Sequence, residues 1–120
     1  MSEERLQMAV ARVLDAAGLC WCHVPNGGQR NAVVGAKLKA QGVKRGVPDV
    51  LVFDAPIDKA RYSYQCGLAI ELKNGKAGRV SPEQKAWHNN LLGNDWRVDV
   101  CRSLDEVLAV LRECYPNKIK

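Results

Sequence analysis

The sequence predicts a mixed α/β domain, a central sheet flanked by helices, on three observations. Residues 47–53 (VPDVLVF) and 68–73 (LAIELK) are short runs rich in β-branched and aliphatic residues. Turn formers bound both, and both are too short for ordinary helices, so each reads as a buried strand. Stretches beginning at residues 2, 81 and 103 instead carry helix-start signals and apolar residues at helical spacing. With 120 residues and no internal repeat or linker, the chain has length for one core and not for two.

The elements follow in order. Residues 2–17 predict an amphipathic helix with Ser2 at its N-cap, ended by Gly18. Leu6, Ala9, Val10, Val13, Leu14 and Ala17 form its apolar stripe; Glu3 projects near the stripe's edge and Glu4 points to solvent. Residues 19–24 read as a strand, with Trp21 and His23 on one face and Cys20 and Cys22 on the other, where packing is the expected role of the thiols. Residues 25–28 are a turn, and residues 35–41 a short helix ended by Gly42. Residues 54–67 are long for a hairpin and contain Pro56, so a further strand is expected at residues 61–64. After the second apolar run comes a polar, basic loop at residues 74–79. Ser81 then opens a helix with Pro82 at its first position and Gln84 placed to complete a capping box. Gln84, Trp87, His88 and Leu91 share one face of it. Residues 93–95 turn into a strand at 96–101. The last helix, 103–114, is capped by Ser103 with Glu106 three residues on, and turns Val107, Leu108 and Leu111 to the core. Residues 116–120 are expected to fray.

Charge sits inside the two central strands. Asp49 opens the first, and Glu71 and Lys73 lie among Leu68, Ile70 and Leu72 in the second. Side chains alternate faces along a strand, so Glu71 and Lys73 point the same way, roughly 6.6 Å apart. Pairing of the two strands lets Asp49 join them. Two carboxylates and an ammonium then meet where charge is costly to bury unless it is paired or bound to metal. Hard oxygen ligands suit Mg²⁺ or Mn²⁺.

Composition narrows the classes. No apolar run approaches a membrane span, and the Met1-Ser2-Glu3-Glu4 start is no signal peptide. Five cysteines without a CxxC pair argue against zinc or a disulfide framework and for reduced thiols in a cytoplasm. The net charge of +5 is unevenly placed: no acidic residue lies between Asp15 and Asp49, while Arg30, Lys37, Lys39, Lys44 and Arg45 do. Beside a carboxylate cluster, this one-signed stretch favours a polyanion over a merely solvated face.

Pro48-Asp49 followed by Glu71-Leu72-Lys73 resembles the two halves of the PD-(D/E)xK nuclease motif. Three further runs look like the VRR-NUC branch of that superfamily in its stand-alone form: Asn26-Gly27-Gly28-Gln29-Arg30, Gly42 through Asp49, and Ser81-Pro82-Glu83-Gln84-Lys85-Ala86-Trp87. The resemblance extends from about residue 3 to residue 108. It implies a restriction-endonuclease-like core (α-β-β-β-α-β with additional short and C-terminal helices) and a metal-dependent DNA endonuclease, cytoplasmic and bacterial or phage-encoded.

Within that resemblance Asp49 and Glu71 hold one or two Mg²⁺ or Mn²⁺ ions, with the Leu72 carbonyl a further ligand and Lys73 beside the scissile phosphate. Gln84 would face the active site, although capping its own helix is the competing role. Glu3 is the candidate helix-borne ligand; an N-terminal acid favoured by the helix dipole is the alternative. Asn26 and Arg30 fall in a DNA-contacting loop, and Lys37, Lys44, Arg45, Lys76 and Arg79 are the other expected DNA contacts. His88 is read as an ordinary core or surface histidine. Stand-alone members resemble junction-resolving enzymes, so a homodimer acting on four-way (Holliday) junctions in DNA repair or recombination is expected, with Trp96 and Tyr62 as interface material. A nicking or flap nuclease, an RNA-directed nuclease and a non-catalytic binding module stay open.

Overall fold

The computed structural model describes residues 2–25, 31–76 and 78–119. Its elements run α1 (Glu3–Ala16), β1 (Trp21–His23), α2 (Ala32–Ala40), β2 (Val50–Val52), β3 (Ile57–Asp58), β4 (Ser63–Tyr64), β5 (Gly67–Leu72), α3 (Pro82–Gly93), β6 (Trp96–Cys101) and α4 (Leu104–Cys114). The central sheet has the order β1-β2-β5-β6, antiparallel except for the parallel pair β5 and β6. A parallel pair needs a crossover, and α3 supplies it. The mixed sheet flanked by helices is the architecture expected from the sequence.

All six residues of β5 are buried, which is why this strand reads as a continuous apolar run. Leu68, Ile70 and Leu72 join Leu6, Val10 and Leu14 of α1 and Val107, Leu111 and Cys114 of α4 in one core. Burying a side chain such as Leu14 or Ile70 contributes roughly 1.5–3 kcal/mol. That core is the reserve against which a buried charge in β5 is tolerated. On the other face of β5, His88 of α3 reaches Glu71.

Helix starts follow their side-chain caps. Ser2 Oγ accepts from the Arg5 N–H, and Ser103 Oγ accepts from the Glu106 N–H at 3.1 Å. The Glu106 carboxylate reaches the N–H of Arg102, one residue before the position that a capping box requires. Four expectations are corrected. The short helix begins at Ala32, not at residue 35, because the Asn31 side chain caps it by accepting from the Val34 N–H. Cys20 and Cys22 are exposed and so do not pack. The link between β2 and β5 holds a two-strand hairpin, β3 with β4, instead of one strand. The C-terminal end is held through Ile119: the Lys118 and Ile119 N–H groups return to the Tyr115 carbonyl, and Ile119 packs on the core. Of the two residues named as interface material, Tyr62 is exposed, whereas Trp96 is half-buried against Phe53. Among the described residues no helix is long and apolar enough to cross a membrane.

Candidate active site

The register of β2 and β5 builds the site. Val50 lies opposite Ile70, so one further step along the antiparallel pair sets Asp49 opposite Glu71. Directly opposed residues share a face, with Cβ atoms about 4.5–5.5 Å apart. Glu71 is 1% exposed, the one buried charged residue among those described.

Asp49 is fixed from both neighbouring strands. Its Oδ2 accepts from the Leu72 N–H at 2.7 Å. Its backbone carbonyl accepts from the Val24 N–H at 2.9 Å and from His23 Nδ1–H at 2.7 Å. Leu72 thus gives its N–H to one of the carboxylates that its own carbonyl was expected to assist.

Burial, and after it the hydrogen bond and like charge of Asp49, raise the pKa of Glu71 well above the carboxylate range. Lys73 offsets part of this and Glu3 adds to it. Two like charges, one of them fully buried, call for a proton or a cation between them. That frustration is the observation on which a divalent metal fits this site. Among the described residues no three His, Cys, Asp or Glu side chains gather into a complete metal cage. Two carboxylates are nevertheless the donor set that Mg²⁺ takes when waters and substrate phosphate fill its other positions.

Glu3 comes close by a different route. Its Oε1 accepts from the Asn74 N–H at 3.0 Å, so α1 holds the start of the loop that follows Lys73. The same loop is held from β6's end, where Arg102 Nη1 donates to the carbonyls of Gly75 at 2.7 Å and Gly78 at 2.6 Å. A Cβ on Gly78 would stand 3.0 Å from the Lys73 Cβ, so the loop folds tightly back on the lysine stem. Lys76 and Arg79 are exposed on it.

Helix α3 covers Glu71. Gln84 completes the expected capping box: Ser81 Oγ accepts from the Gln84 N–H at 3.2 Å, and Gln84 Oε1 accepts from the Ser81 N–H at 2.8 Å. The α3 side chain that reaches Glu71 is His88, one turn on, with Nε2 3.4 Å from Oε1. Burial and the charge of Lys73 lower the pKa of His88, which favours the neutral ring. The start of α3 is seated by Gly46, whose φ is +88° and whose added Cβ would fall 2.6–2.8 Å from backbone atoms of Glu83 and Gln84. Any side chain at residue 46 would push the loop off the helix.

Between α2, residues 43–46 and α3 lies a groove of about 1020 Å³, with Lys39, Lys44, Arg45, Gln84 and Trp87 on its walls. Gly46, also on its wall, is three residues before Asp49, and Gln84 is one turn before His88. Lys37 is exposed on α2 and does not line the groove. Asn26 and Arg30 lie outside the described residues. The structure therefore gathers Asp49, Glu71 and the Lys73 stem, with Leu72 between them. It leaves Gln84 capping its helix, Glu3 of α1 bonded to the adjoining loop, and the basic residues divided between groove and loop.

Sequence reasoning set His88 aside and did not single out His23, Arg102 or Gly78. The one available signal was that His88 shares a face with Gln84.

The VRR-NUC domain family matches residues 1–105. A solved structure described as a VRR_NUC domain protein has the same fold, with a TM-score of 0.75 and 23% sequence identity over 97% of this chain and 89% of that one. No curated protein matches the chain. With the family covering nearly its whole length and the Pro-Asp and Glu-x-Lys elements meeting on one strand pair, the chain belongs to the VRR-NUC family, nucleases of the PD-(D/E)xK type.

Proposed function

We propose that the protein is a Mg²⁺- or Mn²⁺-dependent endodeoxyribonuclease that works as a homodimer on four-way DNA junctions. The observation that carries the nuclease reading is the opposition of Asp49 to the buried Glu71, with Lys73 two residues beyond, just past the end of the same strand. Asp49 and Glu71 would hold the cation. When bound, the cation supplies Lewis acidity, making water a stronger acid and neutralising charge that develops at phosphorus. Lys73 adds an ammonium on the same side, where it stabilises negative charge on the scissile phosphate. The Leu72 N–H and the Asp49 carbonyl contacts keep the first carboxylate oriented, so little reorganisation is needed at the moment of reaction.

DNA as the substrate rests on the placement of basic side chains. Lys39, Lys44 and Arg45 line the groove beside α3, and Lys76 and Arg79 stand on the loop after Lys73. Reversing Lys44 and Arg45 to Glu should weaken DNA binding and make its salt dependence shallower by roughly two in the log–log slope, because each lost phosphate contact releases about 0.9 fewer counterions. An unchanged slope in binding titrations at several salt concentrations would place the DNA path elsewhere.

The dimer follows from what one site can do. A single carboxylate pair cuts one strand, whereas resolving a four-way junction takes two cuts related by symmetry. A twofold dimer brings two such sites with opposed polarity from one small chain. Purified protein with Mg²⁺ and labelled four-way, flap, linear and RNA substrates tests this, alongside sedimentation at assay concentration. A dimer making paired, symmetric nicks across the junction is the expected result. A monomer, or one nick per junction, leaves a nicking nuclease, and preferred cleavage of RNA transfers the site to a ribonuclease.

A further inference from the structure

We propose that His88 is a positioning residue for Glu71, donating its Nε2–H to Oε1 and so holding that carboxylate toward Asp49. The inference rests on the nuclease reading of the Asp49–Glu71 pair and adds a residue to it.

Glu71 has a long, rotatable side chain. It stands in a strand that is buried on both faces, opposite a second carboxylate. Its hydrogen bond with Asp49 needs a proton between the two carboxylates, and a cation seated there displaces that bond, so the direction of the side chain then falls to other neighbours. Something must hold it. Besides Asp49, the side chain that reaches it is His88, with Nε2 3.4 Å from Oε1. Gln84 turns its oxygen to the Ser81 N–H, and among the described residues the side chain of α3 that bonds Glu71 is that of His88.

The histidine is itself well fixed. Its side chain is only 13% exposed. It stands one turn beyond the capping box that fixes the start of α3 and beyond the Gly46 seat, where the loop that leads into Asp49 packs on that first turn. Asp49 and His88 therefore share one rigid support, and the Glu71 side chain is held between them. Filling this space needs only an apolar side chain of similar size; a hydrogen-bond donor there has a use only if the orientation of Glu71 matters. Carboxylates that bind metal are regularly oriented by such neighbours, and removing the neighbour typically weakens metal binding or activity by about 10- to 100-fold.

The test measures metal binding directly, without DNA. Mn²⁺ is titrated calorimetrically into the full chain as wild type, His88→Ala, His88→Gln, His88→Met and Glu71→Ala, each checked for folding by its circular dichroism melt. His88→Ala and His88→Met should bind Mn²⁺ about tenfold or more weakly. His88→Gln, whose amide N–H can reach the same oxygen, should recover most of that loss. In cleavage assays the Mn²⁺ concentration for half-maximal rate should rise in parallel while KM for DNA stays unchanged. If the alanine variant does not fold, Gln against Met decides, because the two are alike in size and only one donates. Equal affinities for that pair overturn the proposal, as does wild-type affinity in His88→Ala. Glu71→Ala separates the two levels of argument. Loss of Mn²⁺ binding there, with none in the His88 variants, removes only the role of His88. Retained binding in Glu71→Ala removes Glu71 as a ligand, and the role of His88 with it.

Discussion

Replacing Asp49 or Glu71 by alanine is expected to abolish cleavage, by roughly three orders of magnitude or more. Both carboxylates hold the cation in the proposed site, and its stabilisation of the transition state is worth several kcal/mol, at about 1.4 kcal/mol for each tenfold in rate. The two substitutions differ in their effect on the fold. Asp49→Ala also strips the acceptor from the part-buried Leu72 N–H, which costs about 1–3 kcal/mol in a buried setting. Asp49→Asn keeps an oxygen for that bond, so it should restore stability without restoring cleavage. Either variant removes a negative charge near the phosphates, and DNA binding should persist or tighten. Rates measured with Mg²⁺ on a labelled substrate, beside melting curves, check this. Near-wild-type cleavage by either alanine variant would remove that carboxylate from the chemistry.

Without divalent cations, the protein should become less stable as pH rises. Burial first, and then Asp49, raise the folded-state pKa of Glu71 above its ordinary value of 4.5. The stability linked to this group is complete below about pH 4.5 and is lost as pH climbs through neutrality toward the raised pKa. Each unit of upward displacement costs about 1.4 kcal/mol once the unfolded chain has released its proton. At about 4 °C for each kcal/mol in a domain of this size, the melting temperature should fall by on the order of 10 °C between pH 5 and pH 8. Glu71→Gln should flatten the profile and melt higher than wild type at pH 8. Adding Mn²⁺ at pH 8 should restore the wild type and not the variant. A flat wild-type profile in EDTA would mean that Glu71 carries no such penalty.

The carboxylate pair was legible because charge is conspicuous in an apolar strand, and because the period of two puts Glu71 and Lys73 on one face wherever the strand lies. The capping box at Ser81, Pro82 and Gln84 was legible for another reason: its partners sit within one turn. What escaped notice depends on how distant elements cross. His88 matters only because α3 lies over the face that carries Glu71, 17 residues earlier in the chain. Glu3 meets Asn74 across 71 residues, and Arg102 meets Gly75 across 27. No local pattern encodes such meetings. The β3–β4 hairpin has strands of two residues each, too short for any periodicity to show. The hold on the C-terminal end turns on Tyr115, whose hydroxyl donates to the Asp54 carbonyl, a contact that composition near the terminus does not announce.

The seat of Gly46 on α3 has a consequence for how such a protein can change over time. The contact is main chain against main chain, so no side chain takes part that substitution could resize or recharge. The groove beside it is the opposite case, walled by the long side chains of Lys39, Lys44 and Arg45. On the proposed DNA path, drift along that wall would retune which nucleic-acid shapes are gripped while the spacing from Asp49 to His88 stays where the backbone sets it. Grip and chemistry are thereby free to diverge at different speeds within one small domain.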